Sequence, residues 1–113
     1  MKGLLTLKEL KTDKIIELIK YAIELKNGKK VTYPGKKVVT LFYENSTRTH
    51  YSFQCALLNL GINVLSCDTQ KSSAQKGESL YDTVRTFEYL GVDGVVIRSS
   101  QDEYFKELEG INI

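Results

Sequence analysis

Three short apolar runs, separated by stretches with helical spacing, constrain the fold of this chain most strongly. The runs cover Val38–Phe42, Asn63–Cys67 and Gly94–Ile97. The first of them, Val-Val-Thr-Leu-Phe, is rich in β-branched and aromatic residues, which is typical of a buried strand. Strands that alternate with helices predict an α/β fold, here a three-layer sandwich with a parallel sheet and helices on both faces.

The stretches between these runs carry apolar residues at spacings of three and four, which predicts amphipathic helices. The predicted helices span approximately Asp13–Asn27, Thr47–Leu60, Ser79–Leu90 and Gln101–Leu108. In the first helix we expect the apolar stripe to be buried. Residues 111–113 are predicted to begin a further strand.

Length and charge exclude several classes of protein. At 113 residues the chain has the length of one domain, and its net charge of +2 argues against a nucleic-acid surface. No apolar run reaches the ~18 residues of a membrane span, and early charges argue against a signal peptide. We therefore expect a cytoplasmic protein that binds neither nucleic acid nor membrane. Cys55 and Cys67 are expected to stay reduced and to pack as small apolar residues.

Polar side chains that could bind an anion follow each of the three predicted strands. They are Ser46, Thr47, Arg48 and Thr49 after the first strand, Ser72 and Lys76 in the loop 68–78 after the second, and Arg98 after the third. The carboxyl ends of parallel strands lie at one edge of a sheet, where such folds bind ligands. The free N–H groups at a helix start and an arginine fork both suit a phosphate. The sequence thus predicts a phosphate site at this edge.

Several of these residues also have an interpretation that needs no ligand. A serine or threonine at the start of the second helix could serve only as its cap, although three hydroxyls in four positions exceed what one cap needs. Glu44 could pair with Arg48 and fix its orientation, or it could be solvated. The loop serine and lysine could equally be solvated. His50, the single histidine, fits a surface or helix-packing role better than a catalytic one.

The segment Phe42–Thr49, which reads Phe-Tyr-Glu-Asn-Ser-Thr-Arg-Thr, resembles the carbamoyl-phosphate signature of the aspartate/ornithine carbamoyltransferase family. Residues 72–83 resemble the mobile loop and helix start of the aspartate enzymes more than those of the ornithine enzymes. Val95–Arg98 is similar to the strand that presents an arginine-bearing site of the family. The resemblance extends over the whole chain and implies a carbamoyl-phosphate-binding domain at residues 1–113.

The resemblance implies a role for each matching residue. Ser46, Arg48 and Thr49, with the backbone of Thr47, would hold the phosphate of carbamoyl phosphate. Thr49 and Arg98 would also reach the carbamoyl oxygen and act in catalysis. The implied reaction, a step of de novo pyrimidine biosynthesis, transfers the carbamoyl group to L-aspartate and gives N-carbamoyl-L-aspartate and phosphate. No metal or organic cofactor is implied.

The resemblance also implies a homotrimer, in which Ser72 and Lys76 act on the active site of a neighbouring subunit. Two positions differ from the family pattern: His50 replaces a usual second arginine, and Ser99 replaces a frequent histidine. The aspartate-binding domain and the histidine-proline-threonine-glutamine motif of the family have no counterpart in these residues. We therefore expect a fragment or truncated chain that binds carbamoyl phosphate or phosphate without turning over aspartate.

Three other interpretations of the sequence stay open. The chain could be a non-catalytic phosphate-binding module derived from the family, or the domain of an ornithine-type carbamoyltransferase. It could also be an unrelated small α/β phosphate-binding or signalling domain with Asp68 as a phosphoacceptor. This last interpretation leaves Arg48 and Arg98 without a role.

Overall fold

The computed structural model of the chain describes residues 2–67, 69 and 78–113. These residues form two compact units, 2–31 and 32–113. The first unit contains a 3₁₀ turn at Leu7–Glu9 and the helix α1 at Thr12–Lys26. No helix in the described ranges is long and apolar enough to cross a membrane.

The apolar stripe of α1 is not buried, contrary to the prediction. No residue of the helix is buried, and Ile16, Ile19 and Ile23 are 44%, 56% and 51% exposed. A helix buries its stripe only where a second layer covers it, and residues 2–31 contain no second layer of their own. The predicted end of the helix is correct, because Gly28 follows it with φ +105°.

The second unit is built on three parallel strands in the order β2-β1-β3. The strands are β1 at Lys37–Phe42, β2 at Asn63–Cys67 and β3 at Gly94–Arg98. The helix α2 spans Thr47–Asn59 and α3 spans Leu80–Tyr89. The predicted strands and the two helices between them are therefore confirmed to within one or two residues at each end.

Side chains on the two faces of β1 meet different helices, because successive residues of a strand point to opposite sides. Val39 and Leu41 pack in one core cluster with Val84 of α3, while Thr40 contacts His50 of α2 on the other face. The two helices thus lie on opposite faces of the sheet. The predicted three-layer α/β arrangement is confirmed.

The chain after β3 differs from the prediction. The expected fourth helix at 101–108 is a 3₁₀ segment at Tyr104–Leu108, and residues 111–113 form no strand. Leu108 and Ile111 are each 1% exposed and belong to the core cluster. Because these side chains are apolar, the sequence pattern predicted a helix and a strand here. Apolar side chains can also be buried from a 3₁₀ segment or from irregular backbone, as they are in this structure.

Candidate functional site

The carboxyl ends of the three strands are held together by backbone contacts. Parallel register places Phe42 beside Arg98 and Leu41 beside Cys67. The N–H of Tyr43 donates to the carbonyl of Arg98 at 2.8 Å, and the hydroxyl of Thr69 donates to the carbonyl of Phe42 at 2.8 Å. The segments that follow the strands therefore start from one fixed edge, as predicted.

At this edge, the start of α2 offers backbone N–H groups that no side chain in the described part of the chain caps. Ser46 is the N-cap residue, but its hydroxyl makes no capping hydrogen bond within the helix. The first helical hydrogen bond runs from the N–H of His50 to the carbonyl of Ser46 at 2.9 Å. The N–H groups of Thr47, Arg48 and Thr49 precede that bond and have no partner inside the helix. Together with the helix dipole they form a site for an anion.

Helix α3 starts differently, which makes it a useful internal comparison. Its N-cap residue, Ser79, accepts a hydrogen bond from the N–H of Asp82 at 3.1 Å. Asp82 also places a carboxylate in the first turn. The donors of α3 are thus partly satisfied by its own N-cap side chain, whereas those of α2 have no such cap among the described residues.

Arg98 reaches the start of α2 from the neighbouring strand. Its Nε donates to Oε2 of Glu44 at 2.9 Å, and its Nη1 lies 3.4 Å from Oγ1 of Thr49. Neither interpretation of Glu44 that the sequence left open, pairing with Arg48 or solvation, foresaw this contact, in which the carboxylate orients Arg98. The strand register explains the difference, because it sets Arg98 beside the end of β1.

The other predicted phosphate-binding residues lie around the first turn of α2. Ser46 and Thr49 are half-buried, while Thr47 and Arg48 are exposed. The structure thus brings the four residues of the Ser46–Thr49 turn together with Arg98. Ser72 and Lys76, predicted to act on a neighbouring subunit, lie outside the described residues.

An open cleft of about 740 Å³ adjoins this turn. The described residues that line it include Glu44, Asn45, Ser46, Thr47, His50 and Gln54 but not Arg48, Thr49 or Arg98. Polar donors and one carboxylate therefore face a space large enough for a small anion. Among the described residues, no group of three or more His, Cys, Asp or Glu side chains could hold a metal ion.

Sequence reasoning missed a polar contact between α2 and the sheet. Nε2 of His50 lies 2.9 Å from Oγ1 of Thr40 and 3.2 Å from Nε2 of Gln54. The helix-packing interpretation of His50 is correct as far as it goes, but the partner was not foreseen. The signal available in the sequence was Thr40, the one hydroxyl in an otherwise apolar strand.

The two cysteines form no disulfide, as predicted, and Cys67 is half-buried. Cys55 is exposed, so the expectation that both pack as small apolar residues is wrong for this one. It lies on α2, where His50 and Gln54 occupy the helix face that contacts the sheet. Helical periodicity places Cys55 outside that face.

Comparison with known proteins identifies relatives of the chain over nearly its whole length. The sequence profile of the aspartate/ornithine carbamoyltransferase carbamoyl-P binding domain matches residues 2–112. The aspartate carbamoyltransferase catalytic subunit of Staphylococcus carnosus (strain TM300) is 49% identical over 114 residues, which cover 100% of this chain and 38% of that protein. The chain thus spans well under half the length of this relative.

Solved structures of related proteins share the fold. Aspartate transcarbamoylase from Trypanosoma cruzi in complex with carbamoyl phosphate superposes with a TM-score of 0.81 at 29% identity, over 97% of this chain and 35% of that one. Anabolic ornithine carbamoyltransferase from Campylobacter jejuni superposes with a TM-score of 0.83 at 32% identity, over 96% of this chain and 35% of that one.

Proposed function

The chain belongs to the aspartate/ornithine carbamoyltransferase family, and we propose that its Ser46–Thr49 turn holds the phosphate of carbamoyl phosphate. The uncapped start of α2 carries this proposal. Its N–H groups, which no side chain of the described residues caps, supply donors, and the exposed Arg48 in the same turn supplies positive charge. A phosphate satisfies these donors better than water because it brings several acceptor oxygens and a negative charge.

Within the complete enzyme, this site would serve transfer of the carbamoyl group to L-aspartate. The α-amino nitrogen forms a bond to the carbamoyl carbon, the bond from that carbon to the phosphate oxygen breaks, and the amine loses a proton. The products are N-carbamoyl-L-aspartate and phosphate. The carbamoyl oxygen becomes more negative as the amine attacks, so donors placed at that oxygen stabilise the transition state more than the substrate.

Thr49 and Arg98 are the proposed donors to the carbamoyl oxygen. Nη1 of Arg98 and Oγ1 of Thr49 are 3.4 Å apart, which is long for a direct hydrogen bond but allows one oxygen beside them to contact both groups. The carboxylate of Glu44 holds the guanidinium of Arg98 from the opposite side at 2.9 Å. This arrangement orients the cation before substrate arrives.

The identity of the second substrate is also a proposal. The 49% identity to an aspartate carbamoyltransferase catalytic subunit favours L-aspartate over L-ornithine. A non-catalytic phosphate-binding module remains the alternative, since both functions use the same phosphate contacts. The homotrimer, the role of Ser72 and Lys76 within it, and a cytoplasmic location stay predictions.

Calorimetric titration of the 113-residue chain with carbamoyl phosphate and with inorganic phosphate tests the proposed site. We expect Arg48→Ala to weaken both affinities roughly 10- to 100-fold, because charge-assisted hydrogen bonds contribute about 1.5–3 kcal/mol. Lys106→Ala is the control, as Lys106 is exposed and paired with Glu103. Equal affinity of Arg48→Ala and wild type would refute the phosphate assignment.

A further inference from the structure

His50 occupies an unusual position between the proposed phosphate site and the sheet. Its backbone N–H makes the first hydrogen bond of α2, to the carbonyl of Ser46 at 2.9 Å. Its side chain points towards β1, where Nε2 lies 2.9 Å from Oγ1 of Thr40. Thr40 is fully buried, with 0% exposure. One residue therefore connects the first turn of α2 to the interior of the sheet.

A second contact, with Phe42, fixes the plane of the imidazole ring. The rings of His50 and Phe42 are stacked, with centroids 4.4 Å apart and planes 14° apart. Phe42 is the last residue of β1, and it lies on the same face of the strand as Thr40. Two residues of β1 therefore hold the imidazole: Thr40 contacts its Nε2 atom, and Phe42 stacks on its face.

A third side chain joins this contact. Nε2 of Gln54, one helical turn further along α2, lies 3.2 Å from Nε2 of His50 and 3.5 Å from Oγ1 of Thr40. His50, Gln54 and Thr40 therefore form one polar cluster between α2 and β1.

We propose that His50 is a positioning residue, which holds the first turn of α2 against the end of β1 and thereby sets the affinity of the Ser46–Thr49 turn for phosphate. The proposal rests on the proposed function of that turn. Hydrogen bonds to an anion weaken when donor and acceptor shift by a few tenths of an ångström, so a site built on a helix start depends on what fixes that start. His50 directly follows Thr49, so its contact with Thr40 holds the donor turn from the side of the sheet.

Variants of His50 that differ in the reach of their polar atoms test the proposal. A glutamine amide can place a polar atom near the position of Nε2, whereas an asparagine amide reaches only the position of Nδ1. We expect His50→Asn and His50→Phe to weaken binding of inorganic phosphate roughly three- to tenfold, the range given by one net hydrogen bond. His50→Gln should restore most of the affinity.

A variant of Thr40, the partner of His50 in the sheet, tests the same contact independently. Thr40→Val keeps the shape of the side chain and removes the hydroxyl, and it should weaken phosphate binding as much as His50→Phe does. The double variant should be no weaker than either single variant, because both remove the same contact. Val92→Ala, a change in the core cluster, should lower the thermal midpoint and leave phosphate affinity unchanged.

Three outcomes would overturn the proposal. One is unchanged phosphate affinity in His50→Phe and Thr40→Val. Another is equal affinity in His50→Gln and His50→Asn. The third is a loss of affinity in Val92→Ala that matches its loss of stability, because the effect would then follow stability alone.

Wild type and Arg48→Ala, titrated alongside, report on the phosphate site itself. If these two do not differ, the proposed function fails, and the role of His50 fails with it.

Discussion

At the scale of single residues, the hydroxyl of Tyr43 is buried and has no hydrogen-bond partner among the described residues. The nearby hydroxyl of Thr83 lies 2.8 Å from Oε1 of Glu78 and 3.1 Å from the carbonyl oxygen of Ser79, so its single proton has two acceptors within reach. Burial raises the pKa of Tyr43, and the proximity of Thr83 offsets only part of this rise. Phenylalanine would therefore suit this position.

Tyr43→Phe tests the cost of that hydroxyl. An unsatisfied buried hydroxyl costs about 1–3 kcal/mol, so the variant should be as stable as wild type or more stable by up to about 1 kcal/mol at neutral pH. Urea denaturation at pH ~7.5 measures this. A loss of more than about 1 kcal/mol would show that the hydroxyl has a stabilising partner.

The raised pKa of Tyr43 also predicts a dependence of stability on pH. Because the folded-state pKa lies above the ordinary value of about 10, the neutral form contributes stability below pH ~10. That contribution is lost as pH rises through the folded-state value. The free energy of unfolding should therefore fall more steeply above pH ~10 in wild type than in Tyr43→Phe. Identical alkaline profiles would contradict the burial of this hydroxyl.

At the scale of secondary-structure elements, α2 and α3 begin with the same residue type in opposite circumstances. Ser79 caps α3 through its hydroxyl, while the hydroxyl of Ser46 makes no such bond in α2. A cap residue normally contributes about 1 kcal/mol to stability. At the start of α2, where no described side chain makes the cap bond, we propose that a phosphate accepts the hydrogen bonds of the first-turn N–H groups.

Alanine at each of these two serines should separate stability from binding. Ser79→Ala should lower the free energy of unfolding by about 1 kcal/mol and leave the dissociation constant for phosphate unchanged. Ser46→Ala should cost less than about 0.5 kcal/mol and weaken phosphate binding severalfold. Denaturant titration and calorimetry measure the two effects. The reverse pattern would show that Ser46 acts as an ordinary cap.

Most regular elements of this chain could be predicted from its sequence, because apolar runs and helical spacing report directly on burial. The position of the Ser46–Thr49 turn and Arg98 at the same edge of the sheet could also be predicted, because the carboxyl ends of parallel strands lie at one edge. The pairing of Glu44 with Arg98 did not follow, because it depends on the register between β1 and β3, which neighbouring residues do not encode. The contact of His50 with Thr40 was missed for a similar reason, as it joins two elements at one point.

At the scale of the whole molecule, the role that we propose for this chain is to bind carbamoyl phosphate and not to complete the transfer to L-aspartate. The chain covers 38% of the Staphylococcus carnosus catalytic subunit, and the proposed phosphate donors lie at one sheet edge. We expect an assay of the 113-residue chain with carbamoyl phosphate and L-aspartate to form no measurable N-carbamoyl-L-aspartate. Turnover that Arg98→Ala abolishes would show instead that these residues suffice for catalysis.

An NMR titration of the ¹⁵N-labelled 113-residue chain with inorganic phosphate tests the proposed site at the level of single backbone amides. We predict that the backbone amide signals of Thr47, Arg48 and Thr49 shift most, that they follow one saturation curve, and that Arg48→Ala weakens it. The first-turn amides of α3, which Ser79 partly caps, provide the internal control and should shift little. Shifts centred on α3, or spread over surface lysines with no saturation at the start of α2, would contradict a phosphate site in the Ser46–Thr49 turn.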